Sequence, residues 1–217
     1  MTSITVKHNK HPQTLGEEIA NSISHGLAFL VAIAATPLLI VTALSHGTIE
    51  VIGATIFATT VMLLYLASTL YHAVPASKAK RVLHVLDHAA IFLLIAGTYT
   101  PFTLGVLRNG WGLMLFTVIW LLASGGIIMT VVSRVGYPRL AVALYLGMGW
   151  LIVVAIWPLW LAMPLAGLLW LVAGGVAYTV GVVFYAAQGL PYSHFIWHLF
   201  VIAGTSCHFM AVLYYAS

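Results

Sequence analysis

Seven apolar stretches, each long enough to cross a bilayer, take up most of the 217-residue chain. They fall at roughly 19–44, 51–74, 85–106, 112–132, 140–157, 164–186 and 194–214, close to the about 20 apolar residues that a hydrocarbon core about 30 Å thick demands. The chain is 62% hydrophobic and only 6% charged, which leaves too little charge to cover a water-soluble domain of this length. Backbone polar groups surrounded by lipid must be satisfied within their own segment, so the spans are helices. The expectation is an all-α fold: one seven-transmembrane helix bundle over residues 1–217, with 1–18 as a short tail.

The loops have room for no soluble domain, and the polar start (Lys7, Lys10, Glu17, Glu18) is too long and too acidic for a signal peptide. The first span therefore reads as an uncleaved anchor, although Ala43-Leu44-Ser45 mimics a cleavage site. Cys207 is the single cysteine, so no intrachain disulfide forms. A formal charge of +4 does not indicate nucleic acid, because the basic residues lie in the loops. Lys7, Lys10, Lys78, Lys80, Arg81, Arg134 and Arg139 share one side and Arg108 stands alone on the other. The positive-inside rule then places the N-terminus in the cytoplasm and the C-terminus outside. Pro37 and Pro101 are expected to kink spans one and three. Ala173, Ala177 and Gly181 are expected to give span six a close-approach face. Trp111, Trp157, Trp160 and Tyr137 sit near span ends as interface anchors do.

Polar residues gather at the cytoplasmic ends. Span two ends with Ser68, His72 and Pro75; span three begins with His84, Asp87 and His88; span seven begins with Ser193, His194 and His198. Three helices thus bring His72, Asp87, His194 and His198 to one depth, with Ser68 about 6 Å deeper on the face of His72. His194 and His198 are four residues apart, so they stack on one helix face and can bite a single metal ion. The spacing matches the two histidines of H-E-x-x-H, but Phe195 stands where that motif has its glutamate. With His72 as third ligand and a fourth position open to water, the set describes a catalytic zinc site better than a structural one. Asp87 would accept the proton of that water and Ser68 would help orient it. Ser193, after Pro191, reads as the N-cap of span seven.

Taken alone, a histidine near a span end is usually an interfacial hydrogen bonder; the coincidence of several is what argues for a metal. His84 and His88 form a second pair four residues apart and are the main competitors. His84 is expected in the basic loop, with His88 turned about 100° from Asp87. His208 lies about 15 Å beyond His198, too far to join the site. Glu17 or Glu18, Asn21 and His25 form a polar stripe at the start of span one. It is open to two readings: the mouth of the site, or a first helical turn that favours acidic residues.

At these residues the chain resembles bacterial hemolysin III proteins, members of the progestin and adipoQ receptor family that includes the adiponectin receptors. The resemblance runs through Glu17-Glu18-Ile19-Ala20-Asn21 with His25, Ser68-Thr69-Leu70-Tyr71-His72, Asp87-His88 leading to Gly97-Thr98-Tyr99-Thr100-Pro101, and His194 and His198 with His208. It implies seven helices with a cytoplasmic N-terminus and a zinc site facing the inner leaflet of a bacterial inner membrane. His72, His194 and His198 match the metal ligands, and Asp87 and Ser68 match residues that hold the zinc-bound water. Wider relatives include ceramidases. The resemblance therefore implies a hydrolase of a lipid amide or ester, with a membrane lipid or fatty acid as ligand. Two alternatives stay open: a non-catalytic, zinc-stabilised sensor of lipid or membrane state, and a membrane-damaging hemolysin. Against the last, no ring of charges and no convertible amphipathic segment is visible.

Overall fold

The computed structural model describes residues 13–108 and 110–216, and among these the regular structure is helical with no strand. Lys7 and Lys10 of the charge argument lie outside the described residues, as does Ser217. The helices are α1 (Leu15–Leu44), α2 (Thr48–Ala73), α3 (Lys78–Pro101), α4 (Gly110–Ser133), α5 (Pro138–Gly149), α6 (Ile156–Ala162), α7 (Leu165–Ala186) and α8 (Ser193–Tyr215). A π-helical turn, Phe102–Val106, extends α3, and a 3₁₀ segment, Trp150–Ala155, joins α5 to α6. Seven segments are long and apolar enough to cross a membrane: α1, α2, Lys78–Val106, α4, Pro138–Ala162, α7 and α8. Their outward faces carry exposed Leu, Val and Ile, such as Leu30, Val31, Leu121, Val132 and Leu169. The chain is an integral membrane protein.

Helix starts follow local chemistry. Thr14 and Glu17 form a capping box, with the Glu17 amide donating to Thr14 Oγ1 (3.3 Å) and the Thr14 amide donating to Glu17 Oε2 (2.8 Å). Helix α1 therefore begins at Leu15, and four residues assigned to the tail are helical. Ser77 caps α3 by accepting from the Lys80 amide at 3.1 Å. That cap starts α3 at Lys78, seven residues before the apolar run, and puts His84 on the helix rather than in the loop. Ser193 is not the cap expected of it. Tyr192 holds that position with a left-handed φ of 56° and no side-chain bond, and Ser193 is the first helical residue. The α1 carboxylate of Glu17 takes the Tyr192 amide at 2.6 Å, tying the two helix starts together.

Inside the spans, hydroxyls return to the preceding turn: Thr98 Oγ1 donates to the Leu94 carbonyl, Thr130 to Gly126 and Thr205 to Val201, at 2.7 to 2.9 Å. Thr98 and Thr130 are thereby satisfied within their own helix, while Thr205 Oγ1 also meets the Tyr178 hydroxyl of α7 at 2.8 Å. Pro37 lies within a continuous α1. Pro101 ends α3 and opens the π-turn behind it, where the missing N–H frees the ladder. The fifth span breaks at Trp150–Ala155, and Tyr99 repairs the break. Its hydroxyl donates to the Met148 carbonyl (2.8 Å) and accepts from the Ile152 amide (2.8 Å). Close helix approach in span six comes from Gly167, Gly174 and Gly181, one every seven residues. A Cβ on Gly174 would meet the His208 ring at 2.6 Å, and one on Gly181 would meet Phe200 and Trp197 at 2.8 Å. Gly181 is as expected, but Ala173 faces outward. Trp111, Trp157, Trp160 and Tyr137 are all exposed near helix ends.

Packing is uneven. α1 packs along α2 and α8, α2 along α3, and α7 along α8, while the fifth span meets α7 only sparsely. A second core of Phe92, Ile119, Ala123 and Tyr145 fixes α3, α4 and α5 to each other. At the end opposite the Lys78–Arg81 turn, Arg108 pairs with buried Glu50. The space left between the fifth span, α3, α7 and α8 is the cavity described next.

Candidate metal centre

His72 occupies the last turn of α2, and His194 and His198 the first two turns of α8. The three histidines converge so that one ring nitrogen from each lies within 4.8 Å of the others. Their ring centroids are 5.1 Å (His72 to His194), 5.1 Å (His72 to His198) and 4.7 Å (His194 to His198) apart. This is the triad picked from the sequence. The competitors stay outside it: His84 and His88 stack edge to face at 4.4 Å, and His88 Nδ1 donates to the His84 carbonyl at 3.0 Å. His208 lies far along α8 against Gly174.

The helix that orients two of these histidines is α1. His72 Nδ1 lies 2.8 Å from Glu18 Oε2, and Glu18 Oε1 is held at 2.8 Å by Lys80 Nζ. A carboxylate can only accept, so Nδ1 carries the hydrogen and Nε2 presents its lone pair. His198 Nδ1 lies 3.2 Å from the Asn21 carbonyl, which again makes it the donor and frees Nε2. Ser24 Oγ, itself donating to Asn21 O (2.9 Å), stands 3.2 Å from the same Nδ1. His72 Nε2 and His194 Nε2 are buried and have no hydrogen-bond partner. Orphan nitrogens of this kind cost about 1–3 kcal/mol each, and a metal ion accepting both lone pairs removes that cost. Three neutral imidazoles turned inward, two of them oriented by outer acceptors, fit a zinc ion as donor set.

Asp87 and Ser68 are both buried and line the cavity beside the triad. Asp87 Oδ2 stands 3.8 Å from His88 Nδ1, and Ser68 Oγ faces Asp87 without a hydrogen bond of acceptable geometry. His25 reaches the same end of the cavity and stacks on His198 with centroids 3.7 Å apart and planes 4° from parallel. Its place in the site was visible in the sequence only as the spacing Glu18, Asn21, His25, which is one face of a helix. The cavity holds about 150 Å³ and runs from Asp87, His194 and His198 past Ile91, Ile95, Trp197 and Val201 to Tyr178 and His208. Apart from its two ends its wall is largely apolar. A smaller space of about 130 Å³, lined by Gln13, Glu17, Gln188 and Ser193, meets His194 from the basic end. One polar constellation thus sits where a long apolar slot meets a polar mouth.

The sequence profile of the family described as haemolysin-III related matches residues 13–209. A hemolysin-3 homolog of Bacillus subtilis (strain 168) is 42% identical over 203 residues, covering 93% of this chain and 95% of its own length. Hemolysin-3 of Bacillus cereus is 43% identical over 213 residues, 98% of this chain and 97% of its own. A human protein named monocyte to macrophage differentiation factor is 30% identical over 218 residues, 96% of this chain and 88% of its own. With a match that takes in every helix from α1 through most of α8, the chain belongs to the haemolysin-III related family.

Proposed function

We propose that the protein is a zinc-dependent hydrolase of a lipid amide or ester, working at the cytoplasmic face of a bacterial plasma membrane. The observation that carries this reading is the placement of three inward-turned histidines, Asp87 and Ser68 at one end of a single apolar cavity. An acyl chain fits the slot and brings its carbonyl to the histidines. A Zn²⁺ ion held by His72, His194 and His198 would supply Lewis acidity and acidify a water at its open position. Asp87 accepts the proton of the attacking water, and among the described residues no other carboxylate lines this cavity. Ser68, with its hydroxyl unpaired, orients the same water. The apolar wall excludes bulk water from the acyl chain, and the Glu17 mouth offers the polar product a way out. The seven-to-one bias of basic residues supports the cytoplasmic placement of this end.

The test is to measure zinc content of the purified protein and fatty-acid release from a panel of long-chain amides and esters, with and without chelator. Release that disappears with chelator and in Asp87→Asn supports the reading. A wild-type protein loaded with zinc that cleaves no member of the panel, yet loses melting temperature on chelation, overturns it in favour of a zinc-stabilised sensor.

A further inference from the structure

His25 is 3% exposed, and neither of its ring nitrogens makes a hydrogen bond. The backbone of His198 lies near the ring, but no contact with it meets hydrogen-bond geometry. A neutral imidazole has one N–H and one lone pair, and most buried side-chain polar atoms in native proteins have a partner. The ring stacks on the parallel His198 ring at 3.7 Å and meets the tilted Tyr65 ring at 5.0 Å. It is not a fourth ligand either, because it stays outside the 4.8 Å cluster formed by His72, His194 and His198. What His25 does share with the triad is the cavity: it lines the same end as Asp87, Ser68, His194 and His198. A fixed, unsatisfied donor at the polar end of an apolar slot is complementary to an acceptor at the polar end of an apolar ligand.

We propose that His25 binds the carbonyl oxygen of the lipid that occupies this cavity and stabilises the negative charge that develops on that oxygen during hydrolysis. The inference rests on the hydrolase reading above and adds to it a second contact to the substrate, from α1 rather than from the metal-bearing helices. His25 N–H donates to the carbonyl oxygen, and the bond strengthens as the carbon becomes tetrahedral, so its loss falls on kcat. The ligand class is correspondingly restricted to long-chain lipids with a carbonyl at one end: amides, esters and the fatty acid released from them.

The experiment compares wild type with His25→Phe, which keeps the stack on His198 but has no donor, and His25→Gln, which restores an N–H. Three quantities are read: zinc per protein, turnover of a long-chain amide, and affinity for a fluorescent long-chain fatty acid in detergent micelles. The expected result is unchanged zinc in both variants, and a fall of about 10²–10³-fold in kcat for His25→Phe. Fatty-acid affinity should weaken about tenfold in His25→Phe, with part of both losses recovered in His25→Gln. If wild type cleaves nothing but His25→Phe still binds fatty acid about tenfold more weakly, the contact stands and the hydrolase reading falls. If wild type cleaves the amide and His25→Phe cleaves and binds as wild type does, the contact falls and the hydrolase reading stands. Zinc lost from His25→Phe, with His25→Gln no better, makes His25 a support for His198 and overturns the proposal. A wild type that neither binds nor cleaves overturns both.

Discussion

Glu18 offers the sharpest test of the metal centre, because it touches a ligand and never the metal. Its carboxylate accepts from His72 Nδ1 at 2.8 Å, and its other oxygen is held by Lys80 at 2.8 Å. The side chain is 20% exposed, so the bond is only partly screened. Removing an outer acceptor of a ligating histidine costs about 10–100-fold in metal affinity, or about 1.4–2.8 kcal/mol. Two local features set where in that range each variant falls. Glu18→Gln keeps an oxygen acceptor and loses only the charge, so zinc affinity should weaken about tenfold. Glu18→Ala removes the acceptor and leaves Asn21 Nδ2, at 3.5 Å, as the nearest group to His72 Nδ1. An amide nitrogen can only donate, so it favours the tautomer with hydrogen on Nε2, which blocks ligation. Glu18→Ala should therefore lie near the 100-fold limit. Lys80→Ala is the control. It removes an ion pair whose side chains are 18% and 20% exposed, worth about 1 kcal/mol, and should shift zinc affinity no more than about fivefold. The assay is competition for zinc against a chromophoric chelator at fixed pH. Zinc affinity in Glu18→Ala within twofold of wild type would refute the assignment of Nε2 as ligand and of α1 as the helix that orients it.

Other outcomes follow from the same geometry. Asp87→Asn should retain zinc, since Asp87 is no ligand in the triad, while turnover falls about 10²–10⁴-fold as for loss of a general base; persistence of wild-type turnover removes Asp87 as the base. His194→Ala and His198→Ala should each empty the site, whereas His84→Ala should not; metal analysis giving the reverse would move the centre to α3. Gly97→Ala should destabilise by about 1–3 kcal/mol, because a Cβ there meets Thr60 Oγ1 and Cβ on α2; an unchanged melting temperature in detergent would show that α2 and α3 are not in this contact. Reporter fusions should place the Lys78–Arg81 turn in the cytoplasm and Ser217 outside, and a C-terminal reporter active only in the cytoplasm would invert the bundle.

The comparison of sequence with structure separates signals that survive translation into three dimensions from those that do not. All seven spans were legible because apolarity over about 20 residues is a property of the solvent the helix must meet. Their ends were less so. The start of α3 carries Lys78, Lys80 and Arg81, which an apolar window rejects although Ser77 caps them into the helix. The 3₁₀ break at Trp150–Ala155 left no trace, because its residues are as apolar as the helix around them. What permits it is Tyr99, on a different span, supplying the lost backbone bonds. The small-residue face of span six was legible at Gly181 but not at Ala173, for a related reason. Alanine and glycine look alike to a composition argument, but only the glycines at 167, 174 and 181 face α8 closely enough to exclude a Cβ.

The histidine triad was legible because topology forces it: the end of one span and the start of another must share a depth when the loops are short. The outer layer was not, because it depends on which way α1 turns. Glu18, Asn21, Ser24 and His25 read equally well as an acidic first turn and as a wall of the site until α1 is seen packed between α2 and α8. Once there, each has a specific partner or a specific lack of one. Glu18 holds His72, the Asn21 carbonyl and Ser24 hold His198, and His25 lies on His198 with both nitrogens free. His194 is the exception within the triad, with no hydrogen bond to α1. It is also the histidine that meets both the cavity and the polar mouth. α1 thus bonds to two histidines of the triad, His72 and His198, and leaves the third, His194, at the junction of cavity and mouth, the asymmetry that a zinc site with an open position would need.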